Sequence, residues 1–192
     1  METHPIIARR WSPRAFDPDA VLDPPVARQL LEAARWAPSH GNTQPARFVL
    51  GYRGDETFRR IFDTLKPGNQ LWAGRASALL LGVRVTADER GPVPNTEYGL
   101  GLAVANLTLQ AVDLGLVTHQ MGGFDHAAAA EVFGLPEDAV PVVVVAVGSL
   151  GDPSLLPDDL REREQQERKR KPAGRNGVHR EFWRPSAFHE RN

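Results

Sequence analysis

The sequence predicts one domain of the α/β or α+β class, because strand-like apolar runs alternate along the chain with segments of helical periodicity. The strongest strand signal is AVPVVVVAVGSLG (residues 139–151), and the longest helix signal runs from about Glu97 to Leu116. The chain has 192 residues, and no long polar linker separates its apolar segments. We therefore expect a single hydrophobic core.

The first half of the chain alternates between predicted helices and strands. Asp23 is a candidate N-cap for the first long helix, which has prolines in its first turn and stops at Pro38. Apolar residues follow a helical spacing in residues 55–65 and form a continuous run in residues 75–85, which suits a central strand. The other predictions for this half are a strand at residues 46–52 and a loop at residues 67–70.

The predicted helix from Glu97 onward is apolar on nearly every side, which places it at the centre of a domain or at a subunit contact. Gly99 and Gly101 weaken it locally but permit close approach of another backbone. A strand-like piece follows at residues 117–125 and ends in a glycine pair. Asp125 is the predicted cap of the short helix that comes next.

The tail from Pro153 onward differs in composition from the rest of the chain. It is charged at first and then irregular and aromatic, with Phe182, Trp183 and Phe188 near its end. We expect these aromatic side chains to lie on the core of this chain or on another chain.

Composition excludes several kinds of protein. The chain has no cysteine, which rules out disulfides, thiolate metal sites and a cysteine nucleophile, and which fits a reducing cytoplasm. Its six histidines are scattered, and we predict no metal site. The net charge of -1 argues against a protein that coats nucleic acid. Neither a signal peptide nor a membrane span is predicted, and we expect a cytoplasmic protein without membrane partners.

The segment RRWSPRAF (9–16) gathers three arginines around Ser12. Arginine presents a planar fork of donors that suits phosphate or carboxylate, so an anionic ligand is one explanation. A solvated basic surface is the other, because charge runs usually face water.

Two further segments have the residue types of a ligand site. In APSHGNTQPARF (37–48), polar side chains lie in a loop between a helix and a strand, where binding groups often occur; an ordinary turn is the alternative. In MGGF (121–124), the two glycines before a helix expose backbone N–H groups that could donate to an electron-rich ligand. A flexible turn explains the glycines equally well.

A basic run, RKRKP (168–172), lies in the tail. It could bind phosphate or nucleic acid, but such runs are more often solvated. The acidic residues Glu162, Glu164 and Glu167 precede it and are predicted to neutralise part of a helix face. The chain contains no nucleic-acid-reading motif, so we expect no nucleic-acid partner.

Taken together, five segments in order resemble the nitroreductase family of flavin enzymes over nearly the whole chain. They are RRWSPRAF, APSHGNTQPARF, NQLWAGRASALLL (69–81), GLVTHQMGGFD (115–125) and RKRKP. The resemblance implies an α+β fold, a three-layer α-β-α sandwich with a mixed central sheet covered by helices. It also implies a homodimer with FMN at the subunit interface, an FMN-binding core at residues 1–152, and a C-terminal extension at 153–192. That extension would return to the FMN phosphate and pack on the core or on the partner subunit.

The resemblance also implies roles for individual residues. Arg10, Ser12 and Arg14 would hold the phosphate and the pyrimidine side of FMN, and Arg168 and Arg170 would return to the phosphate. Asn69 would meet the polar edge of the ring, and the 121–124 glycines would donate near its reactive nitrogen. The 38–42 loop would come from the other subunit. The full set of predicted cofactor contacts is Arg9, Arg10, Trp11, Ser12, Arg14, Pro38, Ser39, His40, Asn42, Gln44, Asn69, Met121, Gly122, Gly123, Arg168 and Arg170.

The implied activity is that of an FMN-dependent NAD(P)H oxidoreductase, with ping-pong hydride transfer to nitroaromatics, quinones or similar flat acceptors. No side chain would be a proton-transferring catalyst, since the flavin does the redox chemistry. The alternative is a flavin-binding scaffold with other redox chemistry, such as dehalogenation, ring oxidation or flavin fragmentation. Ala46 and Trp72 depart from the family pattern, and we expect both to alter the substrate cavity.

Overall fold

The central sheet has four strands in the order β1-β2-β6-β5, and a two-residue hairpin, β3-β4, lies beside it. A computed structural model of the chain describes residues 3–170, and the predicted contacts of Phe182, Trp183 and Phe188 lie outside them. The strands are β1 (Ala46–Tyr52), β2 (Ala78–Val85), β3 (Ala87–Asp88), β4 (Gly91–Pro92), β5 (Val117–Met121) and β6 (Ala139–Gly148). The bounds of β1 match the prediction.

Every strand pairing that the structure describes is antiparallel, whereas the family resemblance implied a mixed sheet. A parallel strand, which a mixed sheet requires, is therefore not found between residues 3 and 170. Apolar runs identify strands by composition and length, but they carry no information on strand direction. The central pair is β2 and β6, whose register shifts at Gly82/Val83.

Helices cover both faces of this sheet. They are α1 (Pro5–Arg9), α2 (Pro24–Arg35), α3 (Glu56–Asp63), α4 (Pro67–Ala73), α5 (Thr96–Asp113), α6 (His126–Val132) and α7 (Asp158–Glu164). Helices α2 and α5 pack on one face with Leu80 and Val145, while α3, α4, α6 and α7 pack on the other with Leu79 and Val144. The α+β class and the three layers are thus confirmed.

Helix α4 corrects the prediction of a loop at residues 67–70. Pro67 occupies the start of the helix, where its missing N–H costs nothing, and Trp72 and Ala73 are buried against the core. Pro67, Gly68 and Asn69 are also typical of turns, so the first four residues of this helix predicted a loop.

Helix α5 carries no charged residue between Glu97 and Asp113. One side packs into the domain, yet Gly101 and Ala105 on its outer side are exposed and Tyr98 is 71% exposed. None of the helices between residues 3 and 170 is long and apolar enough to cross a membrane.

Candidate functional site

The N-terminal arginine segment follows α1 and lies along the edge strand β5. Arg10 Nη1 donates to Ser12 Oγ at 3.3 Å, and His119 Nδ1 on β5 lies 2.9 Å from the carbonyl oxygen of Pro13. Since that carbonyl only accepts, the histidine carries its proton on Nδ1. Burial lowers the pKa of His119, which favours the neutral ring. Two other residues of this segment differ in exposure: Arg9 is exposed and Trp11 is half-buried.

The tail arginines return to this segment. The guanidinium of Arg168 donates to the carbonyl oxygens of Ala8 and Arg10. The pKa of Arg10 is lowered, first by burial and then by the positive charges of Arg170 and Arg168. None of the ion pairs among residues 3–170 involves any of these three arginines. Arg10, Arg168 and Arg170, hereafter the arginine cluster, therefore form an uncompensated positive site suited to an anion.

Arg14 has a different environment from the arginine cluster. Its Nη1 lies 3.8 Å from Oε2 of Glu164, and its backbone N–H donates to Oε1 of the same carboxylate. Glu164 was expected to help neutralise a helix face beside the basic run, but it is only 7% exposed and its carboxylate contacts the N-terminal arginine segment instead. Glu162 and Glu167 are exposed. The signal for Glu164 was present in its helical spacing, since the buried Leu160 precedes it by one turn.

Asn69 and the glycine turn at 121–124 are in direct contact. Asn69 Nδ2 donates to the carbonyl oxygen of Gly123 at 3.0 Å. Among the described residues, the N–H groups of Gly122 and Gly123 donate to no protein acceptor, so both remain available to a ligand. Met121 is 2% exposed, and its side chain packs in the core, which leaves only its backbone for a ligand contact.

Trp72 joins these two parts of the site. It lies three residues after Asn69 on α4, and its ring centroid is 4.5 Å from that of His119 and 6.0 Å from that of Phe16. The arginine segment and the glycine turn are thereby adjacent. Trp72 is only 1% exposed, and its expected effect on the substrate cavity stays a prediction.

The loop at residues 38–44 has an unusual backbone. Asn42 and Gln44 have φ of 56° and 48°, a left-handed conformation that non-glycine residues rarely adopt. Internal hydrogen bonds hold it: Ser39 Oγ accepts from Gln44 N at 2.9 Å, and Thr43 Oγ1 donates to the carbonyl of His40 at 2.8 Å. Backbone strain of this kind is found preferentially at functional sites.

This loop packs on α5 at Gly99, where an added Cβ would lie 3.0 Å from Pro45. The neighbours at Gly99 are the side chains of Pro45 and Ser39, whereas the prediction was close approach of another backbone. Beside the loop is a cavity of about 380 Å³, lined by α2, β1 and α5, and Ala46 is part of its wall. Pro38, His40, Asn42 and Gln44 are exposed and Ser39 is half-buried. No hydrogen bond among residues 3–170 joins the loop to the arginine cluster or to the glycine turn.

Known proteins share this architecture. A sequence model of the nitroreductase family matches residues 7–70 and 54–149. The chain is 30% identical over 179 residues to Protein DrgA of Synechocystis, covering 77% of this chain and 84% of that protein. It is 40% identical over 135 residues to an uncharacterized 15.4 kDa protein of Mycolicibacterium smegmatis, covering 65% and 88%.

Solved structures agree with this match. The crystal structure of an oxidoreductase containing FMN superposes with a TM-score of 0.85 at 36% identity, covering 91% of this chain and 89% of the other. A putative nitroreductase from Desulfovibrio desulfuricans, solved in complex with FMN, shares the fold with a TM-score of 0.75 at 21% identity, covering 93% and 98%.

The fold and the sequence match define a flavin-dependent oxidoreductase, the class of enzyme that the motifs predicted. The chain belongs to the nitroreductase family.

Proposed function

We propose that this protein is an FMN-dependent NAD(P)H oxidoreductase that reduces nitroaromatic, quinone or similar flat acceptors by a ping-pong mechanism. The observation that carries the proposal is the arginine cluster, in which three guanidinium groups gather with no carboxylate partner among the described residues. A phosphate dianion is the ligand that such a cluster suits best. The compartment is proposed to be the cytoplasm.

The residues present fit FMN in their donor chemistry. Arg10, Arg168 and Arg170, with the hydroxyl of Ser12, would hold the phosphate. The free N–H groups of Gly122 and Gly123 would donate to the electron-rich ring, and Asn69 is held beside them. When bound, FMN would supply the hydride chemistry, accepting from a reduced nicotinamide and donating to the second substrate.

A homodimer is part of this proposal. The loop at 38–44 is exposed, strained and separate from the arginine cluster within one chain, which supports a role at the site of a partner copy. The outer face of α5, with Tyr98, Gly101 and Ala105, is uncharged and exposed in the single chain. An 18-residue helix of this kind is typical of a buried subunit contact.

The first test is the visible spectrum of the purified protein, together with a fluorescence titration of the apoprotein with FMN. We expect flavin absorbance and saturable binding. Anaerobic mixing with NADH or NADPH should then bleach the flavin, and an added quinone or nitroaromatic compound should restore it. Parallel double-reciprocal plots would support the ping-pong order. A protein that stays colourless with FMN present contradicts the proposal.

A double variant tests where the phosphate binds. Replacing Arg10→Ala together with Arg170→Ala removes two charge-assisted contacts, so FMN affinity should fall by about tenfold or more. The control is Arg59→Ala with Arg90→Ala, which removes two exposed arginines that pair with neighbouring carboxylates. Its FMN affinity should stay at the wild-type level. Equal affinity in both double variants would place the phosphate elsewhere.

A further inference from the structure

Glu164, the last residue of α7, is a buried carboxylate attached to the N-terminal arginine segment. Its side chain is 1% exposed. Oε1 accepts from the backbone N–H groups of Arg14 at 2.7 Å and Ala15 at 2.9 Å. Oε2 has no hydrogen-bond partner among the described residues, and the Arg14 guanidinium is its nearest charge, at 3.8 Å.

Stabilisation of the fold does not by itself explain a carboxylate buried in this way. Burying a carboxylate is costly unless hydrogen bonds and an opposite charge compensate for it, and only one of the two oxygens is satisfied here. What the carboxylate does achieve is geometric. One oxygen fixes two consecutive backbone N–H groups, so the chain direction at Arg14 and Ala15 is set by α7.

Arg168, four residues after Glu164, makes a second contact with the same N-terminal segment. It donates to the carbonyl oxygens of Ala8 and Arg10, while Glu164 accepts from the N–H groups of Arg14 and Ala15. The N-terminal segment is therefore attached at both of its ends to a five-residue stretch of the tail. Arg10 and Ser12, which are joined by a hydrogen bond, lie in the chain between these two attachments.

The geometry points to Glu164 as a positioning residue that aligns the N-terminal segment for the phosphate of FMN. This inference depends on the proposed function, because it assumes that the phosphate binds at the arginine cluster. The inference and simple electrostatics predict opposite changes in FMN affinity when the carboxylate is removed. A carboxylate near a phosphate site repels the ligand, so charge alone predicts tighter binding when the carboxylate is removed. Positioning predicts weaker binding.

The experiment measures FMN and riboflavin affinity for apoprotein variants by flavin fluorescence. Glu164→Ala should weaken FMN binding by about tenfold, with less than about threefold loss for riboflavin, which lacks the phosphate. Glu164→Gln keeps an oxygen at the same position and should bind FMN within about threefold of wild type. Glu164→Asp keeps the charge but withdraws the oxygens, so it should bind FMN more weakly than the Gln variant.

The matched control is Glu162→Ala, on the exposed side of the same helix, which should bind both flavins as the wild type does. If Glu164→Ala does not fold, a comparison of the FMN affinities of Glu164→Gln and Glu164→Asp still tests the inference. Three results would overturn the inference. Glu164→Ala could bind FMN as tightly as the wild type or more tightly, or it could lose equal affinity for riboflavin and FMN. Glu164→Asp could also bind FMN more tightly than Glu164→Gln. A wild-type protein that binds no FMN would instead refute the proposed function.

Discussion

Gly123 is the residue at which the glycine turn meets α4. An added Cβ would lie 2.8 Å from Asn69 Nδ2, the same nitrogen that donates to the carbonyl of Gly123. The neighbouring Gly122 has nothing within 4 Å of its corresponding position. Two adjacent glycines therefore differ sharply in how much space surrounds them.

We expect Gly123→Ala to destabilise the apoprotein by about 1–3 kcal/mol, because the added methyl group displaces the Asn69 side chain. Gly122→Ala is the control and should stay within about 0.5 kcal/mol of wild type. Urea unfolding without flavin measures both. Equal stabilities would mean that Asn69 moves aside at no cost.

Some residues of the site could be predicted from sequence and others could not. The return of the tail arginines to the N-terminal segment was implied only by the family resemblance, since each basic segment alone is equally explained by a solvated surface. The structure places the Arg168 guanidinium on the backbone of Ala8 and Arg10. For Glu164, the local charge balance suggested only that it helps to neutralise a helix face, and its contact with the N-terminal segment was not predicted. Its spacing from Leu160 indicated a buried position, but its contacts with Arg14 and Ala15 are 150 and 149 residues away along the chain, and no local pattern identifies those partners.

Helix caps differ in strength across the elements of this fold. Asp55 caps α3, with Oδ1 accepting from Phe58 N at 2.6 Å and Oδ2 accepting from Tyr52 N at 2.8 Å. Asp23 occupies the N-cap position of α2 as predicted, but its side chain makes no capping hydrogen bond. Residue type alone does not distinguish these two caps.

The structure predicts that Asp55→Ala lowers the free energy of unfolding by about 1–2 kcal/mol, because two backbone N–H groups lose their acceptor. Asp23→Ala should change it by no more than about 0.5 kcal/mol. Thermal or urea denaturation of the two variants compares them directly. A larger loss at Asp23 would contradict this account of the caps.

Element types were more predictable than their arrangement. Strand β1 and helices α2, α3, α5 and α6 were identified from periodicity and apolar runs, since burial dictates those patterns. Helix α4 was missed because proline, glycine and asparagine at its start also suit a turn. The antiparallel direction of the strands is a property of the assembled sheet, which no single run specifies.

On the scale of the whole molecule, α5 links the core to the proposed subunit contact. Its inner side packs on β2 and α2, while Ala105 lies on the uncharged outer face. A charge placed there would have to be desolvated in a dimer.

We expect Ala105→Glu to shift the protein from dimer to monomer and to weaken FMN retention, because the proposed site needs both copies. Ala127→Glu, an exposed position on α6 across the sheet, is the control and should leave the dimer intact. Size-exclusion chromatography with light scattering gives the mass of each. A wild-type monomer, or an Ala105→Glu dimer that keeps its flavin, would count against the proposed interface.

The attachment of residues 8–15 to Glu164 and Arg168 joins parts of the chain that leave the ribosome at very different times. Contacts separated by as many as 160 residues cannot form until translation has reached Arg168. The N-terminal arginine segment therefore cannot be held by these contacts earlier in synthesis, and the proposed anion site can take its shape only after Arg168 has been added.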